Sequence, residues 1–234
     1  MLEIVDNSGK GEDGDRTLAQ QLFRRLSEDI ISGELPAGSK LSEPILAKRY
    51  GVSRGPLREA LNRLQGRLLV TQAPHVGARV ATLSAQVLDE TFLVREALEG
   101  MAARQAAERA SDADIAALHR AYARHVAAAR EGGGGPVWRS GDEDFHVLIA
   151  RASRNPTLIQ MLTEDFYQLV RFYRSRLVHI RGRGARTIAE HRRILEAIED
   201  RDADLAEMQM RRHIAAARQQ WSAALRNQEE TAQS

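Results

Sequence analysis

The stretch Leu41-Ser-Glu-Pro-Ile-Leu-Ala-Lys-Arg-Tyr-Gly-Val-Ser-Arg-Gly-Pro-Leu-Arg-Glu-Ala-Leu61 decides the fold. Gly51 sits between two short helical patterns, where a left-handed residue stops one helix and lets the chain turn sharply. Before it, Ser42 is a good N-cap and Glu43 and Pro44 suit a first helical turn. Ile45, Leu46 and Tyr50 are expected on the inner face of that helix. After it, Ser53 caps a second helix with Pro56 in its first turn. Leu57, Leu61 and Leu64 form its buried stripe, and Arg54 and Arg58 share one face at its N-terminal end. That end is the part of a helix-turn-helix that enters a DNA major groove.

Upstream, Leu18, Leu22, Leu26 and Ile30 recur every four positions, one stripe of a helix that Gly33 ends. Leu35-Pro36-Ala37-Gly38 reads as a turn. Downstream, Leu68–Thr71 and Ala78–Ala81 read as strands around a turn at Ala73–Gly77. Three helices and a hairpin make a winged helix-turn-helix over residues 16–82. Residues 1–15 are polar and rich in Gly and Asp, and are expected to be a disordered tail. From residue 83 to 234 the expectation is an all-α bundle of about six helices, near 84–110, 112–131, 137–153, 156–180, 185–200 and 202–229. Gly132–Gly135 with Pro136 breaks it between helices. The fold class is therefore mainly α.

Charge distribution agrees with this division. The 234 residues carry a formal net charge of +2. Residues 1–15 hold one Lys against five acids, net −4, and residues 16–82 hold eleven basic residues against five acids, net +6. From residue 83 the charges cancel. A compact basic segment beside a neutral body suggests a polyanion-binding module joined to something else. The sequence contains no cysteine, which excludes disulfides, thiolate metal sites and a cysteine nucleophile. No apolar run is long enough for a membrane span, and the N-terminus lacks the order of a signal peptide. A cytoplasmic protein is expected.

The quoted stretch, with Ile31-Ser-Gly-Glu-Leu-Pro-Ala-Gly-Ser-Lys40 before it, closely resembles the GntR family of bacterial transcription regulators. The resemblance implies that Arg54 and Arg58 read bases, Arg being suited to bidentate contact with guanine. It implies backbone contacts from Arg49 and Ser53, and it places Gly55 among the DNA-contacting residues. His75-Val76-Gly77 would form the wing tip near the minor groove. Two positions depart from the family. Relatives often carry Arg where Pro44 stands, so one contact is lost and the operator should shift. They usually carry Gly where Leu68 stands, and Gly66 is expected to end the helix earlier, leaving the wing's register open.

The C-terminal part resembles the FCD ligand-binding domain of the FadR subfamily. The resemblance is carried by Leu93–Arg104, Asp142-Glu-Asp-Phe-His146, Ala150–Pro156, Glu190-His191 with the residues to Ile198, and Met210-Arg-Arg-His213. Asp142 and His146 are four apart on an expected helix, and so share a face. His191 lies among Ile188, Ile194, Leu195 and Ile198. His213 aligns with Ala206, Met210 and Ala217. Three imidazoles and a carboxylate turned into a bundle are costly unless something satisfies them. A divalent cation would do so: zinc first, with nickel, manganese or iron as alternatives. The resemblance implies that Asp142, His146, His191 and His213 bind metal, as in the subfamily's metal-containing branch. A branch that takes acyl-CoA lacks these ligands.

Glu143 and Asp144 are expected to point elsewhere on that helix. His119, His125 and His179 lack partners by spacing and read as surface or core. Open metal positions could take the carboxylate of a small organic acid, with Arg95 completing the clamp. A salt bridge from Arg95 to Glu99 at i+4 is the competing reading, and Arg171 and Arg174 are further candidates. The expected function is an effector-responsive, DNA-binding transcription regulator, a repressor that binds a pseudo-palindromic operator as a homodimer. The alternative is a metal-dependent hydrolase centred on the same His/Asp cluster.

Overall fold

The computed structural model describes residues 17–73, 77–130, 144–177 and 184–233. The expected tail, the glycine run, Asp142, His75 and His179 lie outside them. The chain divides after Ala81 into two compact units.

In the first unit, α1 (Leu18–Ser32) opens on a capping box between Thr17 and Gln20 and closes on Gly33 at φ 90°. Leu22, Leu26 and Ile30 are buried as the stripe requires, but Leu18, at the first helical position, is 52% exposed. Strand β1 (Lys40–Leu41) leads into α2 (Glu43–Tyr50), which Gly51 ends at φ 65°. Helix α2 has eight residues and buries only Leu46. Ile45, expected inside, is 67% exposed. Helix α3 (Arg54–Gly66) buries Leu57, Ala60, Leu61 and Leu64.

Gly66 does not end α3 early. The helix runs through it to a cap at Arg67, and Leu68 takes the left-handed conformation at φ 59°. A leucine thus occupies the backbone state for which relatives use glycine, at a cost of about 1 kcal/mol. Strands β2 (Val70–Ala73) and β3 (Gly77–Val80) start later than the apolar runs suggest. They pair antiparallel, Val70 opposite Val80 and Ala73 opposite Gly77. β1 adds to the other edge of β3, Lys40 opposite Arg79. A two-residue strand has no periodicity to read.

The second unit is helical throughout its described residues. Helix α4 (Ala85–Arg109) begins at Ser84, whose side chain accepts from the Val87 N–H. It packs along α10 (Ala203–Gln233). Ala102, Ala103, Ala106 and Ala107 are fully buried, so the helix backbones can approach closely. Helix α5 (Asp112–Arg130) packs on α9 (Gly184–Glu199), and α6 (Phe145–Ala152) packs on α4 and α5. The helix expected over 137–153 is described only from Phe145, with Asp144 as its N-cap. The helix expected over 156–180 is interrupted. Helix α7 (Pro156–Gln160) passes into a π-helical turn at Met161–Asp165, and α8 (Tyr167–Arg176) follows. None of the described helices is long and apolar enough to cross a membrane.

Candidate nucleic-acid face and candidate metal centre

Helix α3 presents its N-terminus on the surface. Arg54 is its first residue and is exposed. Among the described residues, Ser53 caps the helix by position but makes no side-chain cap hydrogen bond. Its hydroxyl and the first-turn N–H groups are thus available to a phosphate. Gly55 is exposed, and a Cβ there would meet nothing within 4 Å, so the fold itself does not demand glycine. Arg58 is 62% exposed, and its Nε donates to Glu43 at 2.9 Å. Arg49 pairs with Glu34 at 2.8 Å and lies 3.6 Å from Asp29. Exposed pairs of this kind are worth about 0–1 kcal/mol, so these guanidinium groups can exchange a carboxylate for a base or phosphate at little cost. Tyr50 donates a short hydrogen bond to Asp29. Burial, reinforced by that carboxylate, holds its phenol protonated. Gly77 opens β3 at φ 82°, beside Lys40.

The second unit brings three of the four expected metal ligands together. His146, from the first turn of α6, meets His191 of α9 and His213 of α10. One nitrogen from each lies within 4.8 Å of the others. His191 and His213 are buried. In each ring, Nδ1 is engaged. His146 Nδ1 lies 2.5 Å from Glu99 Oε2, His213 Nδ1 lies 2.8 Å from Glu190 Oε2, and His191 Nδ1 lies 3.2 Å from His125 Nδ1. An ionised carboxylate only accepts, so His146 and His213 carry their protons on Nδ1 and turn a bare Nε2 inward. His191 Nε2 is 3.3 Å from His213 Nε2. Two nitrogens each about 2.0–2.1 Å from a tetrahedral ion lie about 3.3–3.4 Å apart. The donor set and its spacing therefore fit a divalent cation, with the outer ring nitrogens anchored as metal-binding histidines require.

Electrostatics favours the same use. Burial, with the neighbouring imidazoles adding to it, pushes the His191 pKa well below its ordinary value. Burial lowers His125 to about 4. Both rings are therefore neutral near pH 7, the form that ligates. Burial alone would raise Glu99, but Arg95 and His146 overcome it and hold the carboxylate ionised. Phe145 stacks on His191, ring centroids 4.4 Å apart, and fixes its plane.

Several site residues differ from expectation. His125 is buried against His191, so it does have a partner. His119 is exposed and pairs with Glu199 at 3.2 Å. Asp144 does not point away. It is buried, accepts from the His146 N–H at 2.9 Å and receives Arg174 Nη1 at 2.6 Å. The i,i+4 argument for Asp142 loses its helix, because α6 begins at Phe145. Arg95 is buried, and its guanidinium is bound to Glu99. Arg171 pairs with Gln168 at 3.2 Å. A pocket enclosing about 330 Å³, counting space open to solvent, is lined by Arg95, Glu99, Asp144, His146, Val147, Leu162, Phe166, Tyr167, Val170 and Arg174. His146 belongs to both the imidazole trio and this lining, so the pocket borders the candidate metal centre. Glu99, Glu190 and His125 were not visible as ring partners in the sequence. Glu99, an i+4 neighbour of Arg95, carried the one usable signal.

Comparison with known proteins agrees with both units. Residues 18–80 match the bacterial regulatory proteins of the gntR family, and residues 90–216 match the FCD domain. A "Probable D-xylose utilization operon transcriptional repressor" of Paenarthrobacter nicotinovorans is 30% identical over 210 residues, covering 86% of this chain and 87% of that protein. The Glc operon transcriptional activator of Escherichia coli K12 is 29% identical over 224 residues, covering 87% and 88%. The solved structure of E. coli McbR/YncC superposes with a TM-score of 0.67 at 24% identity, covering 92% of this chain and 99% of that one. That likeness concerns the fold. These families and relatives are transcription regulators, and the hydrolase expectation falls with them.

Proposed function

Since this chain belongs to the gntR family of bacterial transcription regulators, of the kind with an FCD domain, we propose that it is a repressor whose hold on DNA is set by a small organic acid bound at a metal centre. Residues 16–82 form the DNA-binding unit and residues 83–234 the effector unit. Two copies bind a pseudo-palindromic operator in the cytoplasm, with half-sites about one helical turn apart. Arg54 and Arg58 read bases. Arg49, Ser53, Gly55, His75 and Gly77 meet the backbone and the wing's groove.

The observation that carries the reading is the trio His146, His191 and His213, with every Nδ1 engaged and two bare Nε2 atoms 3.3 Å apart. These residues hold the cation, zinc in preference to nickel, manganese or iron, with Asp142 as the fourth ligand. When bound, the ion supplies positive charge and open positions for a carboxylate. Glu99, Glu190 and His125 keep the rings oriented. Arg95 and Arg174 border the pocket, so a bound acid meets their guanidinium groups. Leu162, Phe166 and Tyr167 belong to the π-helical turn and the residues just after it. An acid that fits one arrangement of this wall better than another shifts the populations of the two states.

Replacing His146 and His191 together by Ala should empty the centre, measured as metal per protein after purification, and abolish the response of operator binding to acids. Equal metal in wild type and variant would refute the ligand set. In the same gel-shift titration, Arg58→Ala should lower specific binding by about 1–3 kcal/mol and relax preference at one base. Unchanged specific binding would refute the recognition-helix assignment.

A further inference from the structure

The pocket beside His146 divides chemically into two sets of groups. Arg95 is bound to Glu99, Arg174 to Asp144, and His146 to Glu99. Tyr167 has an interaction of its own. Every polar side chain of the lining is thus already engaged within the protein. The two guanidinium charges are matched by two carboxylates, so these four groups together are neutral. The remaining lining, Val147, Leu162, Phe166 and Val170, is hydrocarbon. The enclosed space, about 330 Å³, is at the low end for small-molecule sites.

From this arrangement we infer that the acid sensed here has an apolar body: a short carboxylate whose head meets the imidazole centre and whose carbon skeleton packs on Val147, Leu162, Phe166 and Val170. A polyhydroxylated acid of the same length would bury its distal hydroxyls against groups that offer them no hydrogen bond, and each unmet hydroxyl costs binding. Large thioester ligands exceed the space. The inference rests on the proposed acid-sensing role of the metal centre.

The magnitudes make the choice testable. An apolar pocket disfavours an added hydroxyl by up to about a hundredfold, whereas a pocket built to bind a hydroxyl rejects its absence by about ten-thousandfold. The test is calorimetric titration of full-length, zinc-loaded protein with 2-hydroxybutanoate and with 2,3,4-trihydroxybutanoate. The shared 2-hydroxyl keeps the head identical, so any difference reports the body. 2-Hydroxybutanoate should bind at least about tenfold more tightly, and Val170→Thr should narrow that ratio while the zinc content stays the same. Equal or tighter binding of the trihydroxy acid, or a ratio unmoved by Val170→Thr, would overturn the apolar-body inference and leave the acid-sensing role standing. Failure of both acids to bind zinc-loaded protein would instead remove the acid-sensing role, and the inference with it.

Discussion

The two units use arginine in opposite ways. On the nucleic-acid face, Arg58 and Arg49 are exposed and paired with the surface carboxylates Glu43 and Glu34. In the effector unit, Arg95 is buried with Glu99, and Arg174 pairs with buried Asp144. A surface pair is worth about 0–1 kcal/mol and exchanges readily. Removing one partner from a buried pair costs about 3–5 kcal/mol, because the other charge is left uncompensated. The reading face can therefore offer its cations to DNA directly. The effector pocket has committed its cations internally, so attraction for an anion has to come from an ion held by the three histidines.

The largest expected effect breaks this contrast or upholds it. Glu99→Ala should lower stability by about 3–5 kcal/mol, whereas Glu43→Ala should change it by less than about 1 kcal/mol. Urea unfolding of both variants measures the difference, and similar costs would mean that burial does not separate the two kinds of pair.

The next effect is a pH dependence confined to the effector unit. His125 and His191 have folded pKa values below their unfolded ones. Their neutral forms support the fold fully above the unfolded value of about 6.5, and that support is lost as pH falls towards the folded values, about 4 for His125. For metal-free protein, hydrogen exchange should show protection falling between about pH 6.5 and 4 in α5 and α9, which carry these rings. An equal loss in α3 over the same window would erase the contrast.

The smallest effect lies in the reading unit. Leu68→Gly should release left-handed strain and stabilise by up to about 1 kcal/mol, reduced by the greater freedom glycine has when unfolded. A lower melting temperature would show that Leu68 contributes contacts that outweigh its backbone cost.

Legibility followed the range of the interactions. Helices of the first unit announced themselves through local signals: Gly33 and Gly51 as left-handed stops, and Leu57, Leu61 and Leu64 as a stripe. Where an element was short, the pattern misled. Ile45 looks apolar and inward, yet an eight-residue helix has room to bury one side chain, and Leu46 is that one. The interruption at Met161–Asp165 has no glycine or proline to mark it. In the effector unit, the three histidines could be read as inward because each shares a stripe with apolar neighbours. Their partners could not. Glu99 reaches His146 across 47 positions and His125 reaches His191 across 66, distances over which periodicity carries no information. Asp144 was misjudged because helical angles were applied to a residue that caps the helix from outside it.

The anchored rings have a consequence for speed as well as affinity. Each neutral imidazole has two tautomers, so three unanchored rings could occupy many proton arrangements, most of them with an N–H aimed at the others. Glu99 and Glu190 each select one arrangement by accepting from Nδ1. Only the His191–His125 pair is left to pass a proton between facing nitrogens. An incoming cation therefore meets a site already sorted, in which a single local proton rearrangement, rather than a search over whole side chains, separates the empty state from the filled one.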